Sequence, residues 1–292
     1  MRFRIANVNG FLYERIRGYG KEKPMPFAEV NNTTLNYRLD GPEHGPVMML
    51  SNSLASDLTM WEFQIPALVQ AGYRVLRYDS RGHGHSAVTE GPYSIEMLAA
   101  DAVGLMDVLD LEKVHFCGLS KGGMVGQMLG AKYGDRLISL TLSSTAAYMA
   151  PKRIWDERIA TVRKHGMAVV ADDTIGRWFT KAGQIRLAAA VEKVRRVILD
   201  TPVDGFCGCC AAIRDMDQRE TIRTVSIRTL VMVGEQDSGT PVSAAELIHQ
   251  GISSSILKII PDAAHFVHME QSRVFNGSLI KFLETVSKPP IR

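Results

Sequence analysis

Apolar residues along the chain fall into two alternating kinds of run. Short stretches dense in β-branched and aliphatic side chains recur at 33–39 (TTLNYRL), 46–52 (PVMMLSN), 74–80 (RVLRYDS), 113–118 (KVHFCG), 137–144 (LISLTLSS), 228–234 (RTLVMVG) and 256–262 (ILKIIPD). Between most of them the apolar positions spread to helical spacing, over 59–71, 94–109, 121–133 and 242–251, with 270–286 closing the chain. A strand covered on both faces needs a near-continuous apolar run, whereas the helix covering it needs one apolar stripe. The alternation therefore predicts an α/β domain with a mostly parallel sheet between layers of helices.

One interval breaks the pattern. Residues 146–222 run from AAYMAPKRIWDERIA to AAIRDMDQRE with helical periodicity and no strand of comparable quality, which predicts an inserted helical cap dividing a core of 25–145 and 223–292. Residues 1–24 read as a flexible N-terminal extension, with Met25 as an alternative start, and the closing SKPPIR as a frayed end.

Composition narrows the class. A chain of 292 residues that is 46% hydrophobic can bury a full core. The formal charge of +3 belongs to the leader, where six Lys/Arg face Glu14 and Glu22, and no basic helix or stripe suggests nucleic acid as a partner. No run approaches the roughly 18 apolar residues of a membrane span, so a soluble, cytoplasmic protein is expected. Cys117, Cys207, Cys209 and Cys210 are not spaced as a secreted disulfide framework and read as reduced thiols. The CGCC cluster lacks a second ligand pair at zinc-site spacing, so no metal is expected.

Candidate chemistry centres on HFCGLSKGGMVGQ, residues 115–127, where Gly118, Ser120 and Gly122 form G-x-S-x-G between a strand and a helix. In that context the motif is a nucleophile elbow, a turn so sharp that flanking side chains would collide with neighbouring strands. A serine hydroxyl is a poor nucleophile unless a histidine takes its proton and a carboxylate holds that histidine's tautomer. On this fold the order is Ser, then acid, then His. Asp237, in VMVGEQDSGTP just past a strand, is the expected acid, with Glu235 as its rival; His265, in IIPDAAHFVHME, is the expected base, with His268 as its rival. His115 reads as core packing, and His83 and His85 belong to the turn DSRGHGHS and need no catalytic role. Two backbone donors must also meet the tetrahedral intermediate, and Lys121 after the nucleophile and Leu54 in SNSLASDLTMW stand where they are required.

These motifs resemble the α/β-hydrolase superfamily. Over residues 25–286 the chain is particularly similar to 3-oxoadipate enol-lactonases, through MPFAEVNNTTLNYRLDG, LSNSLASDLTMWEFQIPAL, RYDSRGHGHS, GLSKGGMVGQ and GCCAAIRDMDQRE. The resemblance implies a mostly parallel eight-stranded sheet with a helical cap, and hydrolysis of a carboxylate-bearing enol-lactone without a cofactor. The substrate's negative arm then asks for a cation, for which Arg214 is the candidate, unless it pairs with Asp215 or Asp217 inside the cap. Trp61 is expected to line the pocket or pack beneath it. Lys121 departs from the family pattern, where an uncharged residue is more usual; its side chain would attract an anion, hinder an apolar substrate or mark a different one. Other enzymes on the same elbow (a carboxylesterase, a carbon-carbon bond hydrolase, a perhydrolase) and a weakly catalytic receptor are the alternatives. Nothing in the residues speaks to oligomeric state.

Overall fold

The structure, a computed structural model, describes residues 26–287. The expected extension at 1–24 and the end of the chain lie outside the described residues. Eight strands form one sheet in the order β1-β2-β4-β3-β5-β6-β7-β8. They are β1 Phe27–Val30, β2 Thr33–Asp40, β3 Val47–Ser51, β4 Arg74–Tyr78, β5 Val114–Leu119, β6 Leu137–Ser143, β7 Thr229–Gly234 and β8 Ser255–Ile260. The β1–β2 and β2–β4 ladders are antiparallel; from β4 through β3, β5, β6 and β7 to β8 every ladder is parallel. The central strands β3, β5 and β7 are buried at every residue, as strands covered on both faces must be, while β1 alternates exposed and buried at its edge.

Strand β1 escapes the hydrophobic pattern because it is four residues long, but it has a local cause. Asn31 and Asn32 both take positive φ, 44° and 57°, as the two central residues of a hairpin whose twist matches that of the strands must. Asparagine tolerates that region better than most residues, so VNNT was the available signal.

Helices cover both faces. In chain order they are α1 Ile65–Gln70, α2 Ile95–Val108, α3 Lys121–Lys132, α4 Lys152–His165, α5 Ala168–Trp178, α6 Lys181–Arg186, α7 Ala188–Asp200, α8 Val203–Asp215, α9 Val242–Gly251, α10 Val267–Glu270 and α11 Ser272–Ser287. The helix expected over 59–71 is divided into a 3₁₀ turn, Leu58–Trp61, and α1, which Pro66 opens at its first turn, where its missing N–H costs nothing. Between β6 and β7 come the five helices α4 to α8. A bridge between Tyr148 and Asp217 draws the two ends of this segment together. Side chains of those helices, among them Trp155, Ile175 and Phe206, join the same apolar cluster as Leu50, Phe116 and Leu142 of the sheet.

Candidate active site

Four loops leave the carboxyl ends of β3, β5, β7 and β8 at one rim, the place where open α/β sheets present ligand sites. The loop after β5 is the tightest. Ser120 sits at φ 57°, ψ −115°, outside the regions open to most residues with a β-carbon. Its N–H donates to Ser143 O at 2.9 Å and its carbonyl accepts from Thr145 Oγ1 at 2.7 Å. A β-carbon at Gly118 would lie 2.0 Å from Gly122 O, and one at Gly122 would lie 2.1 Å from Ser51 O. The glycines therefore let the turn and the neighbouring strand approach to contact.

Asp237 and His265 are brought together from β7 and β8. His265 Nδ1 donates to Asp237 Oδ2 at 2.8 Å, so the proton of the neutral ring lies on Nδ1 and Nε2 is left basic. Asp237 is fully enclosed: Oδ1 accepts the N–H groups of Gly239 and Thr240, both at 2.9 Å, and Oδ2 also accepts Thr240 Oγ1 at 2.8 Å. Burial alone would push this carboxyl up; His265 and the Thr240 donors outweigh it and hold the group below the ordinary aspartate value. Glu235, the rival acid, is exposed. His268, the rival base, is buried beneath the rim, where Nε2 donates to Met60 O at 3.0 Å, and burial pushes its pKa down to about 3.

Ser120 and His265 both line a cavity of about 250 Å³ roofed by α4, α5 and α8. Its apolar wall includes Met124, Met149, Trp155, Trp178, Phe206 and Ile213. Trp178 lies nearly parallel to the His265 ring, with centroids 6.2 Å apart. Leu54 opens onto the same space, and among the described residues neither its N–H nor that of Lys121 has a hydrogen-bond partner. No three His, Cys, Asp or Glu side chains converge as a metal would need, again among the described residues.

Arg214 and Trp61 require correction as ligand contacts, and the alternatives at Lys121 are narrowed. Arg214 does not face the cavity: its guanidinium is engaged by Asp215, at 2.6 Å, and Asp156, at 2.7 Å, and it lines a separate surface groove. The cations in the cavity wall are Arg158 and Arg177. Arg177 pairs with Asp173 at 2.9 Å, whereas Arg158 lies over Trp155, its guanidinium carbon 5.0 Å from the ring centroid, with no carboxylate at ion-pair distance among the described residues. Burial, then the neighbouring Arg177, lower its pKa, as an unneutralised cation would show. Trp61 packs beneath the site rather than lining it, fully buried, with Nε1 donating to Asn52 Oδ1 at 2.9 Å. The Lys121 side chain is also fully buried; Nζ lies 3.9 Å from Cys209 Sγ, so no charge is offered to a ligand beside Ser120.

Sequence reasoning missed Thr240, Arg158, Arg177 and Glu270. Thr240 had a signal, since D-S-G-T is an Asx-type turn that folds the following N–H groups back onto the carboxylate. The arginines had none, because which face of a cap helix meets the cavity depends on docking. Glu270 is buried, accepting Ala264 N–H at 2.7 Å, Thr180 N–H at 3.0 Å and Thr180 Oγ1 at 2.7 Å, and so ties the His265 loop to the start of α6.

Residues 46–165 match the family model described as alpha/beta hydrolase fold. The chain is 34% identical over 253 residues to a 3-oxoadipate enol-lactonase of Acinetobacter baylyi, covering 87% of this chain and 94% of the relative. The crystal structure of the enol-lactonase from Burkholderia xenovorans LB400 superposes with a TM-score of 0.86 at 38% identity, covering 89% of this chain and 100% of the other. A malate-bound thermophilic esterase from Thermogutta terrifontis superposes at 0.84 with 29% identity, over 90% of this chain and 98% of the other. The chain belongs to the α/β-hydrolase family and is a hydrolase of ester bonds. Within that family it is similar to the 3-oxoadipate enol-lactonases over most of its length.

Proposed function

We propose that the protein is a serine hydrolase that opens a small enol-lactone bearing a carboxylate arm. The observation that carries this reading is the cavity itself: Ser120 and the Asp237-bonded His265 open into one apolar pocket whose cap wall holds Arg158, a cation without a carboxylate partner among the described residues. The kinship with enol-lactonases, and a related esterase that holds the dicarboxylate malate, support it.

In this reading Ser120 Oγ attacks the lactone carbonyl as His265 Nε2 takes its proton. Negative charge developing on the carbonyl oxygen meets the N–H groups of Leu54 and Lys121. The ring carbon-oxygen bond breaks, and the proton passes from the imidazolium to the departing enolate oxygen. Water, deprotonated by the same Nε2, then attacks the acyl-enzyme and restores Ser120, leaving a linear enol dicarboxylate that tautomerises to the keto form. Asp237 keeps the ring in its Nδ1–H tautomer and supports its positive charge throughout. Arg158, with Arg177 beside it, grips the carboxylate arm at the far wall; a guanidinium suits that task because it offers two parallel donors.

The test is a spectrophotometric comparison of an enol-lactone, p-nitrophenyl acetate and a diketone acid, together with fluorophosphonate labelling. Stoichiometric labelling at Ser120 and a kcat/KM for the enol-lactone at least tenfold above the simple ester are expected. Enol-lactone turnover no faster than the ester's removes the lactonase assignment, and a protein that resists labelling removes the serine nucleophile.

A further inference from the structure

His83 is completely buried in the turn after β4, and its Nε2 lies 3.1 Å from the backbone nitrogen of Ala55. An amide nitrogen can only donate, so Nε2 must present its lone pair and the ring proton must sit on Nδ1. There it faces Arg81 O at 3.4 Å and Cys209 Sγ at 3.9 Å. The geometry alone thus selects one neutral tautomer. Its environment agrees: burial first, then the nearby Lys121, lower the His83 pKa well below the ordinary histidine value.

The recipient of this bond matters. Ala55 stands at φ 54°, in the left-handed region that an alanine adopts only when its surroundings compel it. It directly follows Leu54, whose N–H is unpaired among the described residues and is one of the two proposed oxyanion donors. Around it the loop is otherwise fastened: Asn52 Nδ2 donates to Tyr78 O at 2.8 Å, Ser53 N–H meets Met60 Sδ at 3.4 Å, and Leu58 N–H donates to Asp79 Oδ1 at 2.7 Å. The His83 bond is the fastening on the Ala55 side of Leu54; on the other side Ser56 Oγ donates to Ser53 O at 2.9 Å. Behind the ring, Cys209 of α8 touches both His83 and Lys121, and the Lys121 N–H is the other proposed donor. One buried cluster therefore backs both donors.

We propose that His83 is a positioning residue for the oxyanion site: by accepting the Ala55 N–H it holds the left-handed turn that aims the Leu54 N–H at the reacting carbonyl oxygen. This role rests on the serine-hydrolase reading above, although it does not depend on which ester or lactone is the substrate. A group acting only on the oxyanion affects the transition state more than substrate binding, so its loss should appear in kcat rather than KM.

The experiment compares His83→Leu, which removes the acceptor, with His83→Gln, whose amide oxygen replaces it, using p-nitrophenyl acetate and thermal melting. Misaiming one oxyanion donor costs roughly 10²-fold in kcat. His83→Leu should show that loss with KM changed less than about threefold and the pH-rate midpoint unmoved, and His83→Gln should recover at least tenfold of it. Equal kcat in the two variants, or a loss carried by KM, overturns the proposal. Long-range ¹⁵N–¹H correlation spectra of the unmodified protein supply an arm independent of variant folding, where an Nε2–H tautomer or an imidazolium at His83 near neutral pH overturns it as well. Ser120→Ala run in parallel separates the two claims: turnover surviving that change sinks the serine-hydrolase reading, whatever the His83 variants do.

Discussion

The rim of the sheet and the cap over it are held by different kinds of interaction. At the rim, placement comes from backbone bonds and buried side chains: Ser120 N–H to Ser143 O, Gln236 N–H to Ala263 O, and an Asp237 carboxylate with no exposed surface. In the cap, apolar stripes face inward and the charged residues pair at the surface, as in Arg153 with Glu157, Arg195 with Asp172, and Lys193 reaching Glu62 of the core. Exposed pairs of this kind contribute about 0–1 kcal/mol each. The rim therefore has one geometry, imposed by close approach of main chains. The cap has a geometry set by many weak contacts, and it carries the cations that would choose the substrate.

The sharpest break in this contrast is Ser120→Ala, which should lower kcat roughly 10⁴-fold or more while the circular dichroism spectrum stays unchanged. A variant that keeps a tenth of the activity would move the chemistry away from the rim. Acid should strike the core next. The folded pKa of His268 is about 3, below its ordinary 6.5. The stability this difference contributes is complete above pH 6.5 and lost as pH falls towards 3, because the unfolded chain takes up the proton first. Between pH 6.5 and 4.5 the loss is roughly 2 kcal/mol, and His115, lowered by burial to about 4, acts in the same sense. Urea titrations at the two pH values measure it, and His268→Gln, which can still donate to Met60 O, should flatten the dependence.

Glycines sharpen the comparison further. Gly122→Ala sets a β-carbon against the Ser51 carbonyl and should destabilise by about 1–3 kcal/mol in urea, with activity falling as the elbow shifts. Gly176, in the last turn of α5, has nothing within 4 Å of that position, so Gly176→Ala should stabilise by about 0.5–1 kcal/mol. Loss in both, or gain in both, would erase the distinction between the regions. The smallest effects separate the arginines. Arg158→Ala should raise KM for an anionic substrate about tenfold and leave a neutral ester nearly unchanged, whereas Arg214→Ala should change either by less than about twofold.

Legibility followed the same division. The placement of Ser120, Asp237 and His265 could be read because each follows a strongly apolar strand by a fixed turn, so a local pattern specifies its location at the rim. Thr240 and the hairpin at Asn31 and Asn32 had equally local signatures that the hydrophobic pattern passes over. Arg214 illustrates the opposite case. It shares a helix with Ile213, which does line the cavity, yet one residue later the side chain points away to Asp156 and Asp215. Successive helical residues are turned by about 100°, and no single-helix pattern reports which sector meets the pocket. Trp61 and the Lys121 side chain stayed open in the sequence for a related reason: depth beneath the rim depends on the packing of helices distant in sequence.

Glu270 joins what this division separates. One carboxylate receives the main-chain hydrogen of Ala264, next to the imidazole, and both donors of Thr180 at the threshold of α6. Mechanical independence of roof and rim is thereby forfeited: a push on the outer helices is transmitted through three short bonds to the segment bearing His265, the proposed base. If His265 is the base as proposed, directed variation of substrate range in the cap should carry a kinetic signature there even when no altered residue lies near it.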